Sequence, residues 1–296
     1  MEKIIELSNP GIYCSKHRGF INISTEGASH QIPLDSITSI IVTNRGISFS
    51  SNLVTELSIR NIGLVFLDSK MNPISILYPQ YFNKSQRAVQ MAQIKCPEDR
   101  LLKIQKQIIK LKLLGQREVL LSRTLDLGPY IEIDDRLQFE QDPIKVEAVL
   151  ASHYWRHLLD GGTRRQESEL NKVLNYGYAI TRSLIARQMT ASGLNLVLGH
   201  AHSSLENMFG LVDDLHEILR PIVDYFCFNY LQVEREDWKQ QVVQILNTKI
   251  NMEKNDCSLN TYAQKVVRTY INLLEGKEGE FENIWDSNKI YFPAIE

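Results

Sequence analysis

Tyr78-Pro-Gln-Tyr-Phe-Asn83 marks a change of grain in this 296-residue chain. Upstream of it apolar residues alternate with a period of about 2, and downstream they recur with a period of about 3.6, that of a helix. The stretch reads as a connecting segment between two parts of different class. On its N-terminal side the runs Lys3 to Leu7, Ile12 to Ser15, Phe20 to Ser24, His30 to Pro33, Ile37 to Val42, Gly63 to Leu67 and Ile74 to Leu77 read as short strands. The alternation in Gly19-Phe-Ile-Asn-Ile-Ser24 and the branched run Ile37-Thr-Ser-Ile-Ile-Val42 are the clearest. Ser51 to Arg60 interrupts them with Leu53, Leu57 and Ile59 in helical order, capped by Ser50 or Ser51. His17 and His30 fall among turn and strand residues and read as surface or packing side chains. The expected architecture is α+β: a β-rich N-terminal domain over residues 1–78, a connecting segment over 79–96, and an all-α domain over 97–296.

Composition excludes several classes. No stretch approaches the roughly 20 apolar residues of a membrane span, and the first residues form no secretory run, so a cytoplasmic protein without a membrane partner is expected. Cys14, Cys96, Cys227 and Cys257 are scattered and form no Cys-x-x-Cys pair, which argues against a disulfide framework and a zinc knuckle. The formal net charge of −2 gives no whole-chain support to a nucleic-acid partner, so any such surface is local.

The helical part carries the chemistry. A helix predicted between Glu98 and Arg123 directs Leu102, Ile109, Leu113 and Leu120 inward and Lys103, Lys106, Lys110, Lys112 and Arg117 outward. Such a face is either solvated or a track for phosphates. Asp142 and Pro143 open another helix as N-cap and first helical residue. On it Leu150, Ala151, Tyr154 and Leu158 share the stripe of Glu147, where an unpaired carboxylate costs about several kcal/mol. A salt bridge from a neighbouring helix or a bound cation would relieve it. After Gly161-Gly-Thr-Arg-Arg165 comes a helix holding Asn171, Asn175, Tyr176 and Tyr178, poor helix formers that suggest side chains used for hydrogen bonding. Arg164 and Arg165 beside them suit a phosphodiester, with tyrosine to stack on a base, and the same set suits a structural polar network.

The densest set of donors is Gly199-His-Ala-His-Ser-Ser-Leu-Glu-Asn-Met-Phe-Gly-Leu-Val-Asp-Asp-Leu-His-Glu-Ile-Leu-Arg-Pro221. Met208, Leu211, Val212, Leu215, Ile218 and Leu219 predict an amphipathic helix from Asn207 that ends before Pro221. Asp214 borders its apolar arc and Glu217 points away from that arc. His202 with these carboxylates offers part of a divalent-ion shell, which Glu147 would complete, and the alternative is a solvated face with an incidental histidine.

Taken in order, these segments resemble Cas1, the integrase of CRISPR adaptation. Leu174-Asn-Tyr-Gly-Tyr178 is similar to the family's Leu-Asn-Tyr-x-Tyr segment. Gly193-Leu194 followed by Gly199-His-Ala-His202 is similar to its Gly-Leu and Gly-x-x-His segments, and Asp214-Leu-His-Glu-Ile-Leu-Arg-Pro221 is similar to its Asp-Leu-x-Glu-x-x-Arg-Pro helix. Ile32-Pro-Leu-Asp-Ser-Ile37 and Asn61-Ile-Gly-Leu-Val-Phe-Leu-Asp68 look most like Cas1 proteins that accompany Cas9, the type II systems. The chain departs from the pattern at Asn195-Leu-Val197, where many relatives have Asp-Pro-Tyr, and from Ser203 to Phe209, which lacks basic residues.

The resemblance implies catalytic and metal-binding roles for Glu147, His202 and Glu217, with Asp214 as an auxiliary carboxylate and Mg2+ or Mn2+ as the ion. It implies insertion of spacer DNA by attack of a 3'-hydroxyl on a phosphodiester of the CRISPR array. The implied partners are a second Cas1 chain, a Cas2 dimer, double-stranded DNA and, in type II systems, Cas9 and other adaptation proteins. Arg164, Arg165, Asn175, Tyr176, Lys103, Lys106 and Lys110 are the candidates for holding DNA. Two other classes use the same residues: a metal-dependent endonuclease acting by hydrolysis, and a non-catalytic nucleic-acid scaffold whose acidic cluster is structural.

Overall fold

The computed structural model describes residues 3–60, 62–69, 73–77, 86–140, 142–202, 204, 206–231, 237–252, 255–285 and 290–292. The connecting stretch Tyr78 to Asn83 lies outside them, as do Asn61 and Ser203. The chain opens with strands β1 (Lys3–Leu7), β2 (Tyr13–His17), β3 (Phe20–Thr25), β4 (Ala28–Pro33), β5 (Ile37–Val42) and β6 (Ser48–Phe49). Helix α1 (Ser51–Ile59), capped by Ser50, and strands β7 (Gly63–Leu67) and β8 (Pro73–Leu77) follow. One sheet has the order β1-β5-β7-β8 and a second β4-β3-β2-β6. In the first, β5 pairs in parallel with β1 and β7, so it is a central strand.

The branched run of β5 has a physical reason. Ile40, Val42 and Leu64 face a core shared with Cys14 and Ile21 of the second sheet and with Leu53 and Leu57 of α1. Ile41, Val65 and Leu67 face the other way, into the core of the helices. A strand buried on both faces reads as a continuous apolar run rather than an alternating one.

Beyond the strands come α2 (Gln86–Lys95), α3 (Glu98–Ser122), α4 (Ile133–Phe139), α5 (Pro143–Leu158) and α6 (Glu169–Ala191). Then follow α7 (Gly210–His216), α8 (Arg220–Tyr230), α9 (Trp238–Val243), β9 (Lys249–Met252), β10 (Asn255–Ser258), α10 (Leu259–Leu274) and β11 (Ile290–Tyr291). Helix α2 occupies part of the expected connecting segment, and β10-β9-β11 form a small antiparallel sheet among the helices. Among the described residues no helix is long and apolar enough to cross a membrane.

Helix α3 packs against α5, α8 and α10 and organises this half. A Cβ on its Gly115 would lie 2.5 Å from Pro221 Cβ, so only glycine lets α3 approach the start of α8 so closely. The two halves are joined by charge as well as by core. Glu6 of β1 accepts from Tyr176 Oη of α6 at 3.0 Å and from Lys239 Nζ of α9 at 2.6 Å.

The helix predicted from Asn207 to just before Pro221 is shorter at both ends, spanning Gly210–His216. Met208 is exposed, α7 begins only at Gly210, and the chain turns at Glu217 to Leu219 before α8. Pro221 sits in the first turn of α8, where its missing N–H costs nothing. In a continuous helix that N–H would have bonded to the carbonyl of Glu217, and its absence favours a break there.

Candidate metal centre

The turn after α7 carries the site. Because the helix breaks at Glu217, its side chain does not follow the solvent-facing direction that a continuous helix gives it. Glu217 is 5% exposed and Asp214 4%, which corrects the reading of a solvated face. Glu217 has cationic company on two sides. Arg220 Nε lies 3.3 Å from its Oε1, and Lys112 Nζ of α3 lies against its Oε2 as an ion pair without the alignment of a hydrogen bond. Burial alone would raise its pKa, but Arg220 and Lys112 outweigh burial and hold it at about 2.

The same Lys112 Nζ donates to Glu147 Oε1 of α5. The sequence placed Lys112 among outward lysines and Leu102 inward, and the structure reverses both: Lys112 is 6% exposed and Leu102 37%. Ile108, Lys112, Gly115 and Val119 form a buried stripe of α3, so a lysine among buried residues was the signal available. Burial disfavours its charge, and the two carboxylates more than compensate, keeping its pKa above the ordinary value.

His202 reaches the site from the loop before α7. A Cβ on Gly199 would lie 2.4 Å from the carbonyl carbon of Gly210, and one on Gly210 would lie 2.4 Å from the His202 carbonyl oxygen. Two glycines therefore let the loop lie flat on the helix start. Asp214 then binds the loop from below. It accepts from the backbone N–H groups of His200, Ala201 and His202, the last at 3.0 Å. It also lies 2.8 Å from His202 Nδ1. These hydrogen bonds outweigh the upward push of burial and hold Asp214 below the ordinary carboxylate range. A carboxylate accepts only, so Nδ1 carries the proton and the neutral ring presents Nε2 as a lone pair. Nε2 lies 3.9 Å from Glu217 Oε1. The hydrogen bond to Asp214 also raises the pKa of His202. The His202 side chain is 40% exposed and that of Glu147 24%, so these two line the mouth while Glu217 closes the floor.

The donor chemistry fits a divalent ion. Two carboxylates from different elements converge on one positive charge, and an imidazole with a fixed tautomer lies beside them. His216 of the same segment takes no part: it is fully buried with Nε2 2.7 Å from Thr181 Oγ1, and burial pushes its pKa well down.

The candidates for holding DNA scatter. Lys103 and Arg165 are exposed. Lys106 donates to the Glu140 carbonyl oxygen at 3.0 Å, and Lys110 pairs with Asp134 at 2.6 Å. Tyr176 is fully buried with its hydroxyl on Glu6, so it cannot stack on a base and instead fastens the strands to the helices. Arg164 is committed inside the protein, donating to Asn171 and, at 2.7 Å, to Asn175. It also lies over the rings of Trp155 and Tyr178. Behind the site, Tyr154 at 2.8 Å and Tyr178 both donate to Asp224, and Arg220 lies over the Tyr178 ring. This buried network escaped the sequence reading.

A family model described as CRISPR associated protein Cas1 matches residues 5–269. A CRISPR-associated endonuclease Cas1 of Neisseria meningitidis serogroup C (strain 8013) is 27% identical over 269 residues, covering 86% of this chain and 87% of that protein. Among solved structures, a casposase bound to integration product has a TM-score of 0.78 at 16% identity, covering 100% of this chain and 96% of that one. A chain of a Cas6-RT-Cas1–Cas2 complex has a TM-score of 0.73 at 13% identity, covering 96% of this chain and 36% of that one. At these identities the structural likeness is one of fold.

Proposed function

Since the chain belongs to the CRISPR-associated Cas1 family, we propose that it is a metal-dependent DNA integrase that joins the 3'-hydroxyl end of a spacer precursor to a phosphodiester of the CRISPR array. The observation that carries this reading is the convergence of Glu147 and Glu217 on one positive charge beside His202. Glu147, His202 and Glu217 would hold Mg2+ or Mn2+, which when bound supplies Lewis-acid stabilisation to the phosphate under attack.

The chain's own residues prepare that site. Asp214 holds the loop backbone and keeps the His202 proton on Nδ1, leaving Nε2 as the ligand atom. Arg220 and Lys112 keep Glu217 ionised despite its burial. Lys112 holds both carboxylates close before an ion arrives, so metal binding starts from a gathered site. No covalent link to the protein is required, because the incoming hydroxyl replaces the leaving oxygen in one transfer.

One such site serves one strand, so insertion of a duplex calls for two chains. A homodimer working with a Cas2 dimer meets that need, and the likeness to a chain of a Cas6-RT-Cas1–Cas2 complex supports it. The segments Ile32 to Ile37 and Asn61 to Asp68 favour a type II system, which predicts co-purification with Cas9. The word endonuclease in the name of the Neisseria relative supports a second reading, hydrolysis with water as the nucleophile. Donor duplexes ending in a 3'-hydroxyl or a 3'-deoxy sugar separate the two. Joined product from the hydroxyl donor alone supports integration, and cleavage indifferent to the donor end supports hydrolysis.

A further inference from the structure

Asp126, His153 and His157 bring one ligand atom each to within 4.8 Å of one another. No step proposed above uses them. His153 and His157 stand four residues apart on α5, so they share a face, and their ring centroids are 4.0 Å apart. From Glu147 to His153 the helix rises about 9 Å and turns through roughly 240°, so this pair stands on another face of the same helix.

The protonation of the pair follows from its partners. His153 Nε2 lies 2.8 Å from the Asp126 carbonyl oxygen, and His157 Nδ1 lies 2.9 Å from the His153 carbonyl oxygen. A carbonyl only accepts, so these two nitrogens carry the protons. In the neutral rings His153 Nδ1 and His157 Nε2 are therefore bare lone pairs, the form that ligates metal.

The third ligand is delivered by a turn built for it. Gly128 adopts φ +42°, and a Cβ there would lie 2.5 Å from His153 Cε1, so glycine is what lets the turn lie against the ring. Asp126 Oδ1 accepts from Gly128 N at 3.1 Å, and its Oδ2 stands 4.0 Å from His153 Nε2, the protonated nitrogen, so this exposed carboxylate turns about its side-chain bonds to meet an ion at the bare Nδ1.

We propose that Asp126, His153 and His157 form a second cation site, selective for a borderline transition-metal ion such as Zn2+, Co2+ or Ni2+. Two imidazoles and one carboxylate suit these ions better than Mg2+, and three protein ligands leave a fourth position for water. A helical His pair spaced i, i+4 is a recurrent zinc-binding arrangement. An ion there would clamp the turn that follows α3 onto α5 and stiffen the chain in that region.

Co2+ is the probe, because its visible absorption reports coordination directly. It is titrated into the full chain carrying Glu147→Ala and His202→Ala, which removes donors of the first site. One equivalent is expected to bind with visible absorption bands. Adding His157→Gln is expected to weaken binding by at least about 10-fold, the effect that even an outer partner of a metal ligand has. Gly128→Ala, which keeps every ligand, is expected to weaken it too. Should the starting variant not fold, the wild-type chain is compared with His153→Gln/His157→Gln, which is expected to lose one equivalent. The proposal is overturned by absence of stoichiometric binding in the folded chain, or by binding unchanged after both histidines are replaced.

Discussion

At the scale of single residues, the centre is decided by which charges are buried together. Lys112 is the only buried cation between Glu147 and Glu217 among the described residues, and removing one partner of a buried pair costs about 3–5 kcal/mol. Lys112→Met, which keeps the stem and removes the charge, is expected to lower stability by about 3 kcal/mol in metal-free buffer. Mn2+ is then expected to raise its melting temperature by less than that of the wild type, because Glu147 and Glu217 are no longer gathered for the ion, a result read from paired thermal unfolding curves. Asp224 works in the opposite sense. Its burial outweighs the donated hydrogen bonds of Tyr178 and Tyr154 and raises its pKa from 3.8 to about 6. A carboxyl with a raised folded pKa opposes folding as pH climbs, by about 3 kcal/mol once pH passes 6, and has no such effect below pH about 4. Asp224→Asn abolishes that titration, so its stability relative to wild type is expected to improve by about 3 kcal/mol between pH 4 and 7. Chemical denaturation at both pH values checks the sign. Glu147 was legible at this scale because a carboxylate in an apolar stripe demands a partner. Tyr176 was not, because sequence gives no sign of a carboxylate 170 residues away that engages its hydroxyl.

At the scale of elements, the site depends on how closely backbones meet. Gly115 sets the contact of α3 with the start of α8, and Lys112 is carried on the same helix three residues earlier. Gly115→Val is expected to destabilise the protein by about 1–3 kcal/mol through overpacking. It is also expected to weaken Mn2+ binding measured by calorimetry, because Lys112 and Glu217 are pushed apart. Unchanged affinity in a folded variant would separate the packing from the site. The strands and the long helices were legible because alternation and helical spacing persist over several turns, and Asp142, Pro143 and Ser50 mark ends that the structure keeps. A helix boundary at Pro221 was legible, but the earlier end of α7 at His216 was not. Apolar spacing continues through Glu217 to Leu219 as it would in one helix, and a proline both ends a helix and starts the next. The two-residue strand β6 offers too short a pattern to read, β9 and β10 are only four residues each, and β11 joins β9 across a distance in sequence that alternation does not report.

At the scale of the molecule, a sheet covered on both faces supports the helices, and Glu6 ties it to α6 and α9. The α+β class was legible from the change of period alone, and the likeness of fold to the casposase and to a chain of the Cas6-RT-Cas1–Cas2 complex agrees with it. Net charge leaves DNA to local surfaces; Lys103, Lys110 and Arg165 are the exposed members of the nominated set, and Lys110 is paired with Asp134. Lys103→Ala/Arg165→Ala is expected to lower duplex affinity and to reduce the slope of log affinity against log salt by about 2. An unchanged slope in a salt titration would remove both residues from the DNA path.

The proposed function rests on Glu147, His202 and Glu217 forming one metal site for strand transfer. It is tested most directly by offering a labelled short duplex with free 3'-hydroxyl ends to a supercoiled plasmid carrying a CRISPR repeat, with Cas2 and Mn2+, using wild type and His202→Ala. Labelled plasmid is expected from the wild type, with a loss of at least about 100-fold in the variant and Mn2+ affinity falling in parallel. Equal labelling by the two proteins, or DNA binding without any labelled product from the wild type, would contradict it.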